Sequence, residues 1–516
     1  MQRTFHPYFL LKMSGSSQRH SHVTGYLILL VAVATLGPLQ YGYHLAELNA
    51  PQDVITCHSL LGRQNVASKS LSNPSQCIPM TEAEFAALSS IYILGGLAGA
   101  ITAGPISSSH GRLLTMRITG IFFILGSLIE TIAESVPVMS TGRFLAGLGA
   151  GAATVVAPMY ISEISPAEKR GLFGTMTQAM ISVGIFVTQS LGYFFSRGML
   201  WRIILGVGAG FGLLLGAGLC FIPESPSWLA SHHNPTLAVK TLQRIRGAGT
   251  PIHKETAGWN VQEINGEEER LIRPSDLSST SQYNQHNLAT PNLKLPSVGF
   301  FGVLQDPLYR PAIMAVCGIM IAQQLSGINS IMMYSVSLLR GVLPIPSILL
   351  TIIMSAMNVI TTIVCAPLAD RIGRKSCLLL SIAGMGTMSL LLAISLRMEW
   401  KLFSAIAVIS FVAFFATGLG PVPYIMASEL VGQEAVGAAQ SWALAANYLA
   451  SFLVAQFFPL LNSWMNNRWG GAGWVYFIFT AFAGVSWIFV TYYVPETNGK
   501  TGPDEVWGRT TGEVAD

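Results

Sequence analysis

A helix needs about 20 consecutive apolar residues to cross the hydrocarbon of a bilayer. This chain offers twelve such stretches, over 25–47, 84–105, 113–133, 137–162, 173–196, 201–222, 312–336, 346–369, 376–396, 402–427, 436–461 and 474–494. Lipid cannot hydrogen-bond a peptide group, so each stretch must satisfy its own backbone as a helix. The expected fold class is therefore an all-α membrane protein with twelve transmembrane helices. Composition agrees: charged residues make up 10% of the chain, against about 25% in an ordinary soluble domain. The fourth, tenth and eleventh stretches are interrupted by polar residues, Gly or Pro, which blurs their ends.

The order of the stretches contains a repeat. Gly111-Arg112 after the second matches Gly373-Arg374 after the eighth. Glu163 closing the fourth matches Glu429 closing the tenth, and Pro223-Glu224-Ser225 after the sixth matches Pro495-Glu496-Thr497 after the twelfth. Three matches in one order at nearly one spacing describe a duplicated six-helix unit, an arrangement that places a solute site at the midplane between halves. The expected organisation is a cytosolic segment 1–24, a first half 25–222, a cytosolic linker 223–311, a second half 312–494 and a cytosolic tail 495–516. With both termini cytosolic, most Lys and Arg fall on the cytosolic side, as the positive-inside rule requires. Within the linker, 228–247 has helical character and 275–297 is rich in Ser, Asn, Gln, Thr and Pro, a composition that favours disorder. Residues 1–24 carry no small-residue cleavage site, so no removable signal peptide is expected. The net charge of +4 is too small to suggest a nucleic-acid partner; the lipid bilayer is the expected one.

Inside the seventh stretch the chain reads QQLSGIN at 323–329. Unsatisfied amides at bilayer depth cost several kcal/mol each, so Gln323, Gln324 and Asn329 must face protein, water or a ligand. Carboxamides are neutral and both donate and accept. That suits an uncharged, polyhydroxylated solute; the competing role is helix-to-helix hydrogen bonding.

Seven motifs now accumulate: GPLQYGY at 37–43, GRF at 142–144, PMYISEISPAEKRG at 158–171, PESP at 223–226, QQLSGIN, ADRIGRK at 369–375 and PETNGK at 495–500. With these the chain resembles the sugar porter family of the major facilitator superfamily, which includes facilitative glucose transporters and proton-coupled hexose symporters. Within it, the chain is most similar to a fungal branch of vacuole-type membranes. The resemblance implies transport of a hexose-like monosaccharide by alternating access, passive or proton-coupled, with no enzyme activity and no cofactor. It implies sugar contacts from Gln178, Gln323, Gln324, Asn329, Asn358 and Asn447. Tyr424 stands where the family usually has a stacking Trp, and Tyr334 matches an aromatic residue that lids the site.

The resemblance also implies a cytosolic gate from Arg112, Glu163, Arg170, Asp370, Arg371, Arg374 and Glu429. Here the chain departs from the pattern. Ser108 and Ser109 replace an acid–base pair, Leu113 replaces a basic residue, and Val436 stands where many members have Arg. Each exposed ion pair is worth about 0–1 kcal/mol, so these losses predict a resting equilibrium that leans inward. Proton-coupled relatives carry Asp in the first span where this chain has His44, with Glu47 one turn on and Arg143 expected nearby. Two roles stay open for His44, a hydrogen-bonded structural side chain or a proton carrier.

Cys57 and Cys77 fall in the polar loop after the first span, where a disulfide forms if the loop faces an oxidising compartment. No metal site is expected, and His232-His233 lack neighbouring ligands. GLGAGA at 147–152 lies inside a span and reads as close helix packing. Glu267, Leu271 and Ile272 form an acidic dileucine pattern that would engage a sorting adaptor and favour a vacuolar or endosomal membrane over the plasma membrane. The rival functional readings are a non-transporting sugar sensor and a porter for a polyol or inositol.

Overall fold

The computed structural model describes residues 23–57, 76–166, 169–232, 234–247, 250–256, 259, 299–338, 346–432, 434–500 and 502–509. Among them every regular element is helical. Eleven helices are long and apolar enough to span a membrane, and a twelfth span is a bent pair. Numbered in chain order, the spans are 1 (Gly25–Ala46), 2 (Glu82–His110), 3 (Arg112–Ile132), 4 (Val136–Ile164), 5 (Arg170–Phe195), 6 (Trp201–Gly218), 7 (Arg310–Leu325 with Ile328–Tyr334), 8 (Ser347–Cys365), 9 (Arg374–Arg397), 10 (Lys401–Glu429), 11 (Val436–Trp469) and 12 (Trp474–Tyr493).

Several helices outrun the stretches read from hydropathy. Span 11 reaches Trp469 and span 2 reaches His110, because a helix does not stop where lipid stops. Polar turns outside the hydrocarbon extend the ladder until a cap ends it, as Thr81 and Glu84 do in a reciprocal capping box at the start of span 2. Of the three stretches that looked interrupted, span 10 is broken and spans 4 and 11 are not. Spans 4 and 11 run unbroken through Pro158 and Pro459. The breaks lie in span 1 at Thr35, in span 7 at Ser326-Gly327, and in span 10 at Gly418–Pro421. Span 7 bends by 42° there, and Gly327 takes a positive φ of 91° with the Phe479 ring against its α-carbon. Only glycine combines that dihedral with that contact.

The repeated motifs converge on one construction, built twice. Gly111 and Gly373 turn the chain with φ of 96° and 97°, into a region nearly restricted to glycine. The turn aims the first amides of the next span at a carboxylate: Glu224 accepts from the N–H groups of Arg112 and Leu113, both at 3.0 Å, and Glu496 accepts from those of Arg374 and Lys375 at 2.8 and 3.1 Å. A negative charge at a helix N-terminus is where the helix dipole favours it. The arginine then reaches the last turn of the matching span, Arg112 to Glu163 at 2.7 Å and Arg374 to Glu429 at 3.2 Å.

The halves meet along two seams, span 2 on span 11 and span 5 on span 8. Short linker helices, Pro226–Ser231, Pro235–Arg246 and His253–Thr256, lie under the first half. Arg246 ties them to it by donating to the Ile164 carbonyl at 2.6 Å while pairing with Glu255 at 2.7 Å. Cys57 and Cys77 are joined as a disulfide.

Candidate functional site

Spans 1 and 5 of the first half and 7, 8 and 10 of the second line a cavity between the halves, in the position expected of a solute site. All three broken spans contribute to its wall, as expected where irregular backbone lines a cavity rather than lipid. Its polar lining is Gln178, Gln323, Gln324, Asn329, Asn358 and Tyr424; its apolar lining includes Tyr41, Ile185, Met332 and Phe415.

The amides divide into two groups. Gln323 is tied down: its amide nitrogen donates to the Leu419 carbonyl in the span 10 break, and its oxygen accepts from Gln324 at 3.0 Å and Asn447 at 2.6 Å. Asn329 donates to Ser451 at 3.0 Å. The second group faces the cavity with capacity to spare. Among the described residues, neither amide atom of the fully buried Asn358 has a hydrogen-bond partner, and the Gln324 oxygen has none. Leaving such groups unpaired costs about 1–3 kcal/mol each.

Asn447 reaches the site through the two glutamines and is not part of its wall. Tyr334 also stands outside the wall, where it donates to the Ala455 carbonyl at 3.0 Å and stacks on Phe458. Tyr41, part of the GPLQYGY motif, also lines the cavity; an aromatic residue in an apolar span carries no local signal of facing one.

The cytosolic charges fall into one network per half. Arg112 and Glu163 pair within the first half; Arg374 bridges Glu429 and Asp370 within the second, the latter at 2.9 Å. Arg170 and Arg371 make no ion pair among the described residues. Contact across the halves at this end comes mainly from small residues. The α-carbon of Gly104 faces Ser441 and the Gly437 carbonyl, Ser108 lies against Gly437, and Gly171 faces the Asp370 carboxylate. Nearby, the Tyr309 hydroxyl donates to Glu434 at 2.9 Å. Burial, then that carboxylate, push its phenol up to about 12, so it stays a donor at any physiological pH. The halves also touch at the opposite end: Asn49 donates to the Met332 carbonyl at 3.1 Å and Ser90 to Gln456 at 2.7 Å.

At the outer end of span 1, Glu47 is fully buried and paired with Arg143, and it shares the His44 Nδ1 at 3.0 Å. Arg143, expected near span 1, is thus in direct contact with Glu47. Glu130 of span 3, which drew no attention in the sequence, joins them, with its Oε2 4.0 Å from the Arg143 guanidinium.

Comparison with known proteins fits this architecture. The sequence model of the family described as "Sugar (and other) transporter" matches residues 30–503. The chain belongs to this family. It is 32% identical, over 96% of its length and 98% of the relative's, to a probable metabolite transport protein of Saccharomyces cerevisiae, YBR241C. It is also 32% identical to the facilitated glucose transporter member 3 of solute carrier family 2 from Bos taurus, over 93% of this chain and 92% of that one. Among solved structures it shares its fold with the proton:xylose symporter XylE bound to 6-bromo-6-deoxy-D-glucose, at a TM-score of 0.72 and 24% identity over 94% of this chain and 99% of that one.

Proposed function

We propose that this integral multi-pass membrane protein carries a monosaccharide by alternating access, with the cavity between its halves as the sugar site. The observation that carries the assignment of the site is Asn358. Its amide is fully buried, faces the cavity and has no partner among the described residues. One amide can donate to one hydroxyl of a vicinal pair and accept from the other, and Gln324 and Gln178 stand ready to engage further hydroxyls. Tyr41, Tyr424 and Phe415 supply aromatic surface for the C–H face of a pyranose. Gln323 and Asn447 act as supports, holding Gln324 in place through the bonds described above.

The cytosolic networks fit a role in stiffening each half as a body, so that the halves can rock against one another at the small-residue seam. The acidic dileucine pattern at Glu267, Leu271 and Ile272 lies outside the described residues. It supports delivery to a vacuolar or endosomal membrane; Leu271→Ala with Ile272→Ala should redirect the protein to the cell surface, and unchanged localisation would remove that reading.

The function is tested with purified protein in liposomes and a panel of labelled hexoses, pentoses and polyols. We expect saturable uptake of at least one aldohexose or aldopentose, reduced by Asn358→Ala. Uptake confined to polyols would reassign the substrate, and uptake indifferent to Asn358 would remove the cavity from the mechanism.

A further inference from the structure

Tyr448 of span 11 is buried behind the cavity and is not part of its wall. Its side chain crosses from the second half into the first, where its hydroxyl lies 3.1 Å from the Thr154 Oγ1 of span 4. The direction of this bond follows from the number of protons. Thr154 Oγ1 stands 3.0 Å from both the Ala150 and the Gly151 carbonyls, so its single proton is turned back on its own helix. Tyr448 therefore donates and Thr154 accepts. The ring fills a space that glycine provides: a methyl group at Gly96 of span 2 would collide with its edge.

The same ring touches the cavity wall from behind. Its centroid is 5.9 Å from that of Tyr41, with the planes at 78°, an edge-to-face pair. Tyr41 lines the cavity. Tyr92 of the first half stacks on Tyr41 at 6.4 Å and donates to its carbonyl at 3.0 Å. Tyr41 is thus held by one ring from its own half and one from the other. The residue before Tyr448, Asn447, supports Gln323 and Gln324. Two consecutive residues of span 11 back both the amide and the aromatic parts of the lining.

The bond also sits midway along the seam of spans 2 and 11. Ser441, in the cytosolic contact with Gly104, precedes Tyr448 by seven residues; Gln456, in the outer contact with Ser90, follows it by eight. At the rise of an α-helix these are about 10 and about 12 Å. Contact between the halves at the level of the cavity therefore depends on a neutral, fully buried hydrogen bond.

We propose that Tyr448 is a positioning residue that couples sugar occupancy to the joining of the halves, by fixing the Tyr41 ring only while its hydroxyl is bonded to Thr154. The inference rests on the transport reading above, in which Tyr41 offers its face to the sugar. When the halves part here, the phenol loses its acceptor and Tyr41 loses the edge that holds it. Sugar then binds more tightly to the joined form than to the parted one. By linkage, bound sugar favours the joined form by the same factor.

Tyr448→Phe keeps the ring in its place beside Gly96 and removes only the donor. It should raise the Kd of whichever labelled hexose or pentose the panel selects about three- to tenfold, the value of one neutral hydrogen bond. Labelling of a cysteine placed at Val436 gives the second readout. Bound sugar should slow this labelling in the wild-type background and leave it nearly unchanged beside Tyr448→Phe. Unchanged Kd and protection would overturn the proposal. A raised Kd with protection intact would do so too, by reducing Tyr448 to packing.

Thermal melting of a double-variant cycle tests the bond without sugar. Thr154→Val strands the buried phenol, so it should melt below Tyr448→Phe. Adding Tyr448→Phe to Thr154→Val removes the stranded group and should raise the melting temperature again. Additive losses would show that the two hydroxyls do not serve each other, and the proposal would fall. Recovery in the double variant with no sugar bound by wild type would instead count against the transport reading and leave the bond between the halves supported.

Discussion

Asn358 concentrates the argument at the level of single residues. Both its amide atoms line the cavity side of span 8 without a hydrogen-bond partner among the described residues. We predict that Asn358→Ala weakens sugar binding about tenfold or more, the value of one or two hydrogen bonds to an uncharged partner, while leaving the sugar-free protein at least as stable, because two unpaired buried groups are removed. Equilibrium binding of labelled sugar, beside thermal melting in detergent, separates the two effects. Asn447→Ala should behave differently. It removes a donor from Gln323 and an acceptor from Gln324, so both melting temperature and affinity should drop. Arg143→Ala should be severe in stability, about 3–5 kcal/mol, because it strands buried carboxylates.

Gln323, Gln324 and Asn329 were legible because their chemistry is out of place in an apolar span, Gln178 and Asn358 through the family resemblance; all five line the cavity. Met332, Phe415 and Ile185 line it too, yet an apolar side chain in an apolar span looks the same whether it faces lipid or a ligand. Glu130 was invisible for another reason. Two residues from the end of span 3 it reads as an interfacial carboxylate, and only the packing of spans 1 and 4 against it reveals the burial.

At the level of elements, the duplicated motif is a helix junction with a physical logic. Glycine turns, a carboxylate caps the next helix, and an arginine crosses to the last turn of a third. The sequence displays these three parts in order but does not show that they touch; only the fold brings the glycine, the glutamate and the arginine together. We predict that Gly111→Ala and Gly373→Ala are about equally damaging. Each forces a side chain into a dihedral worth about 1–3 kcal/mol of strain and into the capping carboxylate. Thermal melting of the two variants would check this, and a loss confined to one half would show that the junctions are not equivalent. The helix breaks were the least legible elements. The sequence pointed correctly to span 10, broken at Gly418, but prolines at 158 and 459 are absorbed within continuous helices in spans 4 and 11, and the breaks at Thr35 and Gly327 were not foreseen.

Across the whole molecule, the two halves touch on both sides of the cavity among the described residues. Counting ion pairs alone predicted a weak cytosolic closure, since Ser108, Ser109, Leu113 and Val436 remove charges. The structure adds a contribution that charge counting omits: Gly104, Ser108, Gly437 and Ser441 are small enough for spans 2 and 11 to meet backbone to backbone, a seal made by dispersion and shape. We predict that Gly437→Leu opens the cytosolic end, raising the labelling rate of a cysteine placed at Val436 several-fold and slowing exchange. Unchanged labelling would return the closure to the charges.

On the transport proposal, the amides of spans 5, 7 and 8 together bind a sugar between two rocking halves. Saturation binding of a labelled transported sugar to purified wild-type protein, Asn358→Ala and Gln324→Ala tests it most directly. The account predicts saturable binding by wild type, at least about tenfold weaker in each variant. Undiminished affinity in both variants would contradict it.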